Sequence, residues 1–449
     1  MDNTRDARGS DLLATGFGTT VTMWFLGYLG RQPAAPWPAP LLLALMLAAI
    51  LAGGWTAARL GGGGARAGLR TGLLASVLNL LILGSLLSAD GAAVHPSALI
   101  WLPGSLLLGA GVGGLGGRLA EDHGAAFRRG ALFGPQGLRG RAWDAAFALV
   151  ACAATLLLLV AGGMVTAQQA GLAVVDWPNS FGSNMFLYPL ARMTGGVFYE
   201  HSHRLIGSLV GLTTLVLGVQ LWRTEDRPWV KRLAAAALVM VIVQGILGGL
   251  RVTGHFTMSQ DAQITRPNLT LAVVHGVLGQ LFFSTLVTLF CVTTPLWRQA
   301  RTHVHAGAGL DHGLSRTLVI MVILQLVFGA VLRHVAHGLL VHITWAVVVA
   351  MTAVFMGLRA RGEHAGVPVV PGLGTWLSWL VGLQLLLGVM ALWGTSLTET
   401  SGGPHAVDVI FTTLHQTTGA IILAVAVMLM LWTRRLIRAA APQPREEES

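Results

Sequence analysis

Apolar runs of about 20 residues recur from one end of this chain to the other, and no other feature narrows its fold so far. Twelve are legible, at 12–30, 38–59, 71–89, 97–118, 143–165, 200–222, 234–252, 268–294, 315–333, 339–358, 373–394 and 406–433. In lipid a backbone must satisfy its own N–H and C=O groups, and continuous apolar runs of this length do so only as helices. The expected fold is an all-α integral membrane protein with about twelve transmembrane helices. Composition agrees, since 54% of residues are hydrophobic and 11% charged, against about 25% charged in soluble domains.

The formal charge of +10 does not point to nucleic acid, because the basic residues are spread over short loops between spans. Arg5 and Arg8 precede the first span, Arg59, Arg66 and Arg70 follow the second, and Arg118 to Arg141 follow the fourth. Arg223, Arg227, Lys231 and Arg232 follow the sixth, Arg298, Arg301 and Arg316 the eighth, Arg359 and Arg361 the tenth, and Arg434, Arg435 and Arg438 the last. All lie in even-numbered loops or at the ends, which predicts cytoplasmic termini in a bacterial cell membrane. The polar start runs into a full-length span, so no cleavable signal is expected. Cys152 and Cys291 fall inside spans and read as buried filler.

The basic, glycine-rich stretch 119–142 divides the chain. Residues 1–140 form a four-helix membrane extension, and the eight later spans repeat. Gln244, Gly248, Gly254 and His275 each find a counterpart 140 residues on, at Gln384, Gly388, Gly394 and His415. The expectation is an eight-helix core of two pseudo-symmetric four-helix bundles, 141–296 and 297–449, related as parallel repeats.

Ionisable groups at membrane depth are costly and read as functional candidates. Most of the fifteen histidines fall in loops, where solvated surface is the ordinary reading. Four stand near the start of the even spans of the core: His201 or His203, then His275, His342 and His415. Four residues after His203, His275 and His415 comes a glycine, and after His342 an alanine; residues four apart share a helix face. Leu205 follows His201 at that spacing, so His203 is preferred. Two facing histidines can hold one haem iron between them, giving the pairs His203 with His275 and His342 with His415. Zinc is a weaker reading, because a compact tetrahedral site needs no such space. A quinol-linked dihaem carrier is disfavoured, because its ligands stack across the bilayer rather than lying side by side.

The halves are unequal. From Gly163 to His203 is 40 residues, whereas the matching Gly329 to His342 is 13. The surplus is an outer loop, "AGLAVVDWPNSFG", with Asp176, Trp177 and Pro178, which ends at Glu200; long loops in compact proteins are usually functional. Glu200 precedes His203 by three residues and shares its side of the helix. No acid precedes His342. This suggests a reacting cofactor in the first half, with Glu200 as acid–base or proton-relay group, and a permanent one in the second.

The motifs "GLAVVDW", "EHSHR", "LGGLRV" with "LAVVHGVLGQLFF", "GAVLRHVAHGLLVH" and "LHQTTGA", in this order, resemble haem A synthases over residues 143–433. The resemblance implies a membrane oxidoreductase that converts the methyl group of haem O to the formyl group of haem A by successive hydroxylations and loss of water. His203 and His275 would bind substrate haem O, and His342 and His415 a resident haem B, as iron ligands. Glu200 would match the family's acidic residue. Reducing equivalents would come from an electron donor, and the partners would be haem O synthase or cytochrome oxidase assembly factors. The chain departs from the pattern at "MVTAQQAGL", where Thr166 and Ala170 stand in place of the arginine and small polar residue of many members, so Arg204, Arg251 and Arg333 become the candidates for haem propionates. A non-catalytic haem carrier is the alternative.

Overall fold

Twelve helices long and apolar enough to span a membrane alternate along the computed structural model, which describes residues 9–83, 96–122, 142–253 and 269–439. They are α1 (Ser10–Gly30), α2 (Ala39–Gly61), α3 (Gly64–Leu83), α4 (Ala98–Asp122), α5 (Ala142–Ala167), α6 (Gly195–Thr224), α7 (Pro228–Thr253) and α8 (Leu269–Thr293), then α10 (Ala308–Val335), α11 (Leu339–Gly362), α12 (Val370–Ser401) and α13 (Ala406–Leu436). A short α9 (Pro295–Gln299) and a parallel pair of two-residue strands, β1 (His303–Val304) and β2 (Ile437–Arg438), lie between and after the spans. An even number of crossings puts Ser10 and Leu436 on one side, called here the terminal side.

Helices α5 to α8 close on themselves, each packing on the next and α8 on α5; α10 to α13 do the same. The two rings meet through α8 against α13, flanked by α5 with α13 and α8 with α10. That exchange of like for like is an approximate twofold axis along the membrane normal. The helices at this junction, α5, α8 and α13, are the most buried of the core, while α7, α11 and α12 turn apolar faces outward toward lipid.

The N-terminal helices form a further bundle, docked by α1 onto α5 and α6. Their glycines explain the close approach. Gly64, Gly68 and Gly72 of α3 and Gly109, Gly113 and Gly117 of α4 repeat every fourth residue and so line one stripe on each helix. A Cβ on Gly68 would strike the backbone of Gly113, and one on Gly72 the backbone of Gly109. In a membrane, where lipid competes with side chains, such backbone-to-backbone contact drives helix association. Trp24 of α1 donates to Asn79 of α3 at 2.9 Å, and Ser10, Asp144 and Gln220 join α1, α5 and α6 at the terminal side.

Buried ion pairs fasten the terminal side. Glu225, at the end of α6, takes Arg227 at 2.8 Å and Arg298 at 2.5 Å. Asp311 of α10 takes Arg359 at 2.5 Å and His364 at 3.0 Å. His364 is thus buried on Asp311, where the sequence suggested solvated surface. Both cysteines are buried and free. His95, His123, His255, Gly254 and most of the 119–142 break lie outside the described residues.

Candidate functional site

All four expected histidines stand near the side of the membrane opposite the termini, one on each of α6, α8, α11 and α13. The His203 and His275 rings have centroids 6.4 Å apart at 71°, and the His342 and His415 rings 6.3 Å apart at 66°. Each pair belongs to one bundle, and each ring is half-buried. Nδ1 of His203, His275 and His415 is buried and meets no partner at good hydrogen-bond geometry among the described residues. His201 turns the other way: it is fully buried, packs on Tyr188 and shares a 3.0 Å hydrogen bond with Ser180 in the outer loop.

Each ring rests on a glycine of the preceding helix. A Cβ would lie 3.0 Å from His203 Cε1 at Gly162, 3.5 Å from His275 at Gly248, 3.1 Å from His342 at Gly329 and 3.1 Å from His415 at Gly388. The partner of Gly329 is therefore Gly162, not Gly163, which faces Thr413 and Gln416 of α13. The glycines that follow the histidines do something other than open space for a ring. Gly279 and Gly419 receive the amides of Gln244 and Gln384, at 2.9 and 3.5 Å from a Cβ position.

The outer loop is stapled over the first pair. Arg204, one turn after Glu200, donates to the carbonyls of Val174 and Asp176 at 2.7 Å and Asn179 at 3.0 Å, and to Glu200 Oε1 at 2.7 Å. Glu200 Oε2 accepts the Val174 N–H at 2.9 Å, so both of its oxygens are engaged. Asp176 accepts the N–H groups of Phe181 and Gly182 at 2.7 and 2.8 Å. Burial pushes its carboxyl up, but these N–H donors and the nearby Arg204 charge outweigh that and hold it below the usual range. Trp177 seats on α7, where Gly249 leaves room for its ring; a Cβ there would come within 2.7 Å of Cε3.

The three candidate arginines differ. Both terminal nitrogens of Arg204 are committed to the loop and Glu200. Arg251 lies against Gly171, its Nε buried without a partner. Arg333 stands 3.9 Å from Asp408. Asp408 is the residue sequence reasoning missed: it is buried, accepts from Thr395 at 3.3 Å and Thr398 at 3.0 Å, and lies two turns before His415 on α13. The second half thus has an acid, on the helix of its other histidine. Its seven-residue spacing to His415 was the available signal.

Two imidazoles that share one central metal, each bonded at about 2 Å, have their centroids roughly 6 Å apart. Both pairs match that spacing, so the residues fit a macrocycle iron held from two sides. The fold and the site together define a polytopic helical membrane protein with a duplicated, paired-histidine core.

Residues 145–342 match the model of the cytochrome oxidase assembly protein family. The chain is 36% identical over 108 residues to haem A synthase of Lysinibacillus sphaericus C3-41, covering 24% of this chain and 34% of that protein. It is 33% identical over 95 residues to haem A synthase of Shouchella clausii KSM-K16, 21% of this chain and 30% of that one. A longer match, 23% identical over 245 residues, covers 45% of this chain and 76% of haem A synthase of Geobacillus kaustophilus HTA426. The stronger identities thus span only about a third of those relatives' length. On these matches the chain is similar to haem A synthases over its first histidine-bearing bundle and part of the second.

Proposed function

We propose that this protein oxidises the methyl group of haem O to the formyl group of haem A, for insertion into cytochrome oxidase. The observation that carries the reading is the pairing of two equivalent histidine sites with a loop stapled over only one of them. Similarity to haem A synthases suggests the reaction.

In this reading His203 and His275 grip the substrate haem O, and His342 and His415 hold a resident haem B. The resident group, when bound, supplies one-electron transfer toward the first site. The rest is done by the chain. Arg204 and Glu200 hold the loop 171–184 over His203, which excludes water from the reacting face. Trp177, seated on Gly249, fixes the edge of that cover. Arg251, with an uncommitted nitrogen, is the best placed cation for a propionate in the first bundle, and Arg333 the counterpart in the second. Glu200 Oε1, shared with Arg204, is the position assigned to accept and pass a proton, while Oε2 stays on the Val174 N–H. The methyl carbon passes through an alcohol and a hydrated aldehyde, each step a two-electron oxidation that adds one oxygen atom at the expense of an external oxidant, and loss of water from the hydrate leaves the formyl group. The electron donor docks on the same membrane, and the terminal side, which carries Arg227, Arg298, Arg359 and Arg435, is the cytoplasmic side of a bacterial cell membrane.

The test is expression of the full chain in a host that makes haem O and no haem A, followed by extraction of the pigments. Haem A or its alcohol precursor supports the reading. Bound but unchanged haem O makes the protein a carrier instead. Glu200→Ala is expected to retain pigment and lose formyl product; full activity in that variant removes Glu200 from the chemistry.

A further inference from the structure

The terminal side carries two kinds of cation. Arg298, Arg359 and Arg435 turn inward, onto Glu225, onto Asp311 and onto the carbonyls of Trp297 and Ala300. Arg223, Lys231 and Arg232, where α6 turns into α7, pair with no carboxylate among the described residues. Arg223 and Arg232 are exposed and Lys231 is half-buried. The acids of the turn do not cancel them. Glu225 is buried and already holds Arg227 and Arg298, which leaves Asp226 as the one exposed acid between residues 223 and 232. Two tryptophans flank the same turn, each with a cation over its face. Lys231 Nζ stands 5.6 Å from the centre of the Trp222 ring, and Arg227 Cζ 5.4 Å from that of Trp229. Both rings are exposed, Trp222 at 63% and Trp229 at 42%. Toward the membrane centre the exposed face stays apolar. Leu215 and Val219 continue the Trp222 face of α6, and Val239, Ile242 and Ile246 run along the packed neighbour α7.

We infer that the α6–α7 turn is a binding site for an acidic phospholipid, with the lipid phosphate on Arg223, Lys231 and Arg232 and an acyl chain along the apolar face below Trp222. The occupant is a lipid rather than a soluble anion because the cations stand at the head of an apolar face that only a membrane covers. Exposed tryptophans settle at the level of lipid headgroups, so Trp222 and Trp229 put the cations at phosphate depth. The N-terminal end of α7 adds the positive pole of its helix to the same spot. Each lysine or arginine near a membrane surface strengthens the hold on acidic lipid about fivefold, and here no carboxylate has to be displaced first. A zwitterionic lipid can fill the apolar face equally well, but its own ammonium offsets its phosphate. The site joins the two helices that carry His203 and Gly248 toward their other ends, so a lipid seated there braces the first bundle from the terminal side. The inference is independent of what the histidine pairs bind.

Both native cysteines are buried, so Val219→Cys supplies one reactive thiol for a fluorophore beside the proposed acyl chain. The labelled full-length chain is placed in phosphatidylcholine bilayers that contain a rising fraction of brominated phosphatidylglycerol or, separately, of brominated phosphatidylcholine. Quenching should show phosphatidylglycerol preferred at this position by about 10-fold or more. Lys231→Gln should cut the preference about fivefold, and Arg223→Gln, Lys231→Gln and Arg232→Gln together should abolish it. Salt gives the same reading without touching the turn: at about 1 M the Debye length falls to roughly 3 Å, and the preference should shrink. At matched ionic strength inorganic phosphate should compete no better than chloride. Equal quenching by the two lipids, or a preference that survives the triple substitution or high salt, overturns the inference. So does loss of the preference to inorganic phosphate alone, which would make the occupant a free anion.

Discussion

Arg204→Ala should open the outer loop without disturbing the helix beneath it. In the native chain one guanidinium gathers three loop carbonyls and the Glu200 carboxylate, all at 2.7–3.0 Å. Hydrogen bonds to a charged group contribute roughly 1.5–3 kcal/mol each, and the freed carbonyls recover part of that from water. A net loss of about 2–4 kcal/mol for the loop is the expectation, since four bonds never add in full. At 1.4 kcal/mol per tenfold, that is about 30- to 700-fold more frequent opening. Hydrogen exchange reads it directly at three amides: Val174, which donates to Glu200, and Phe181 and Gly182, which donate to Asp176. Protection at Val174 should fall by that factor, while amides of α6 beyond Gly207 keep theirs. Glu200→Gln retains an acceptor for the Val174 N–H and loses only the charge, so its effect should be smaller, about tenfold. If Arg204→Ala leaves Val174 as protected as before, Arg204 does not hold the loop, and its assignment reverts to the haem propionates.

Three further outcomes are expected. Gly162→Ala and Gly388→Ala place a methyl 3.0 and 3.1 Å from an imidazole carbon, so each ring must shift; overpacking of about 1–3 kcal/mol should weaken haem retention roughly 5- to 150-fold in an optical titration, whereas Gly248→Ala, at 3.5 Å, should be tolerated. Burial pushes the Glu225 carboxyl up, but the side chain and N–H of Arg227 and the Arg298 charge win and hold it near 2, below its ordinary 4.5. Because the folded value is depressed, the tie between the end of α6 and α9 is fully present above about pH 4.5 and lost as pH falls through 2; Glu225→Gln should flatten the acid limb of thermal stability over that window. Gly113→Leu should separate α3 from α4, detected as protease sensitivity of the extension, with the haem spectrum of the core retained.

Much of this arrangement was legible because membrane insertion writes itself into hydropathy. Eleven of the twelve spans begin or end within a few residues of their apolar runs, since lipid contact and helix extent coincide there. The exception is α3, expected to start at 71 and found to start at Gly64, the end of its run at 84–89 lying outside the described residues. Its first turns, "GARAGLR", are polar in hydropathy but lie against α4 through glycine, and hydropathy does not see backbone contact. The four histidine candidates came from their place near the start of the even core spans, with His275 and His415 also at the 140-residue offset. His203, not His201, is the ring that faces His275, although Gly207, used to argue for it, lies near Leu158, and Gly279 and Gly419 seat glutamine amides. What the sequence hid was tertiary: Asp408, in the first turn of the last span, shows no partner until Thr395 and Thr398 of a longer α12 close on it. Gly162 and Gly163 likewise cannot be told apart until one is seen under His203 and the other against α13.

The extension reaches further into the core than its position in the chain suggests. Tyr28, near the end of α1, lies flat on Phe198 with ring centroids 5.7 Å apart and planes 14° apart. Phe198 is two residues before Glu200 and edge-on to Tyr199. The added bundle therefore acts as a buttress at the foot of the loop that covers the first histidine pair, and a tilt of α1 is passed to the one turn of α6 that carries both the staple and the His203 imidazole. Anything that leans on residues 10–122 from the lipid leans, through two stacked rings, on the lid.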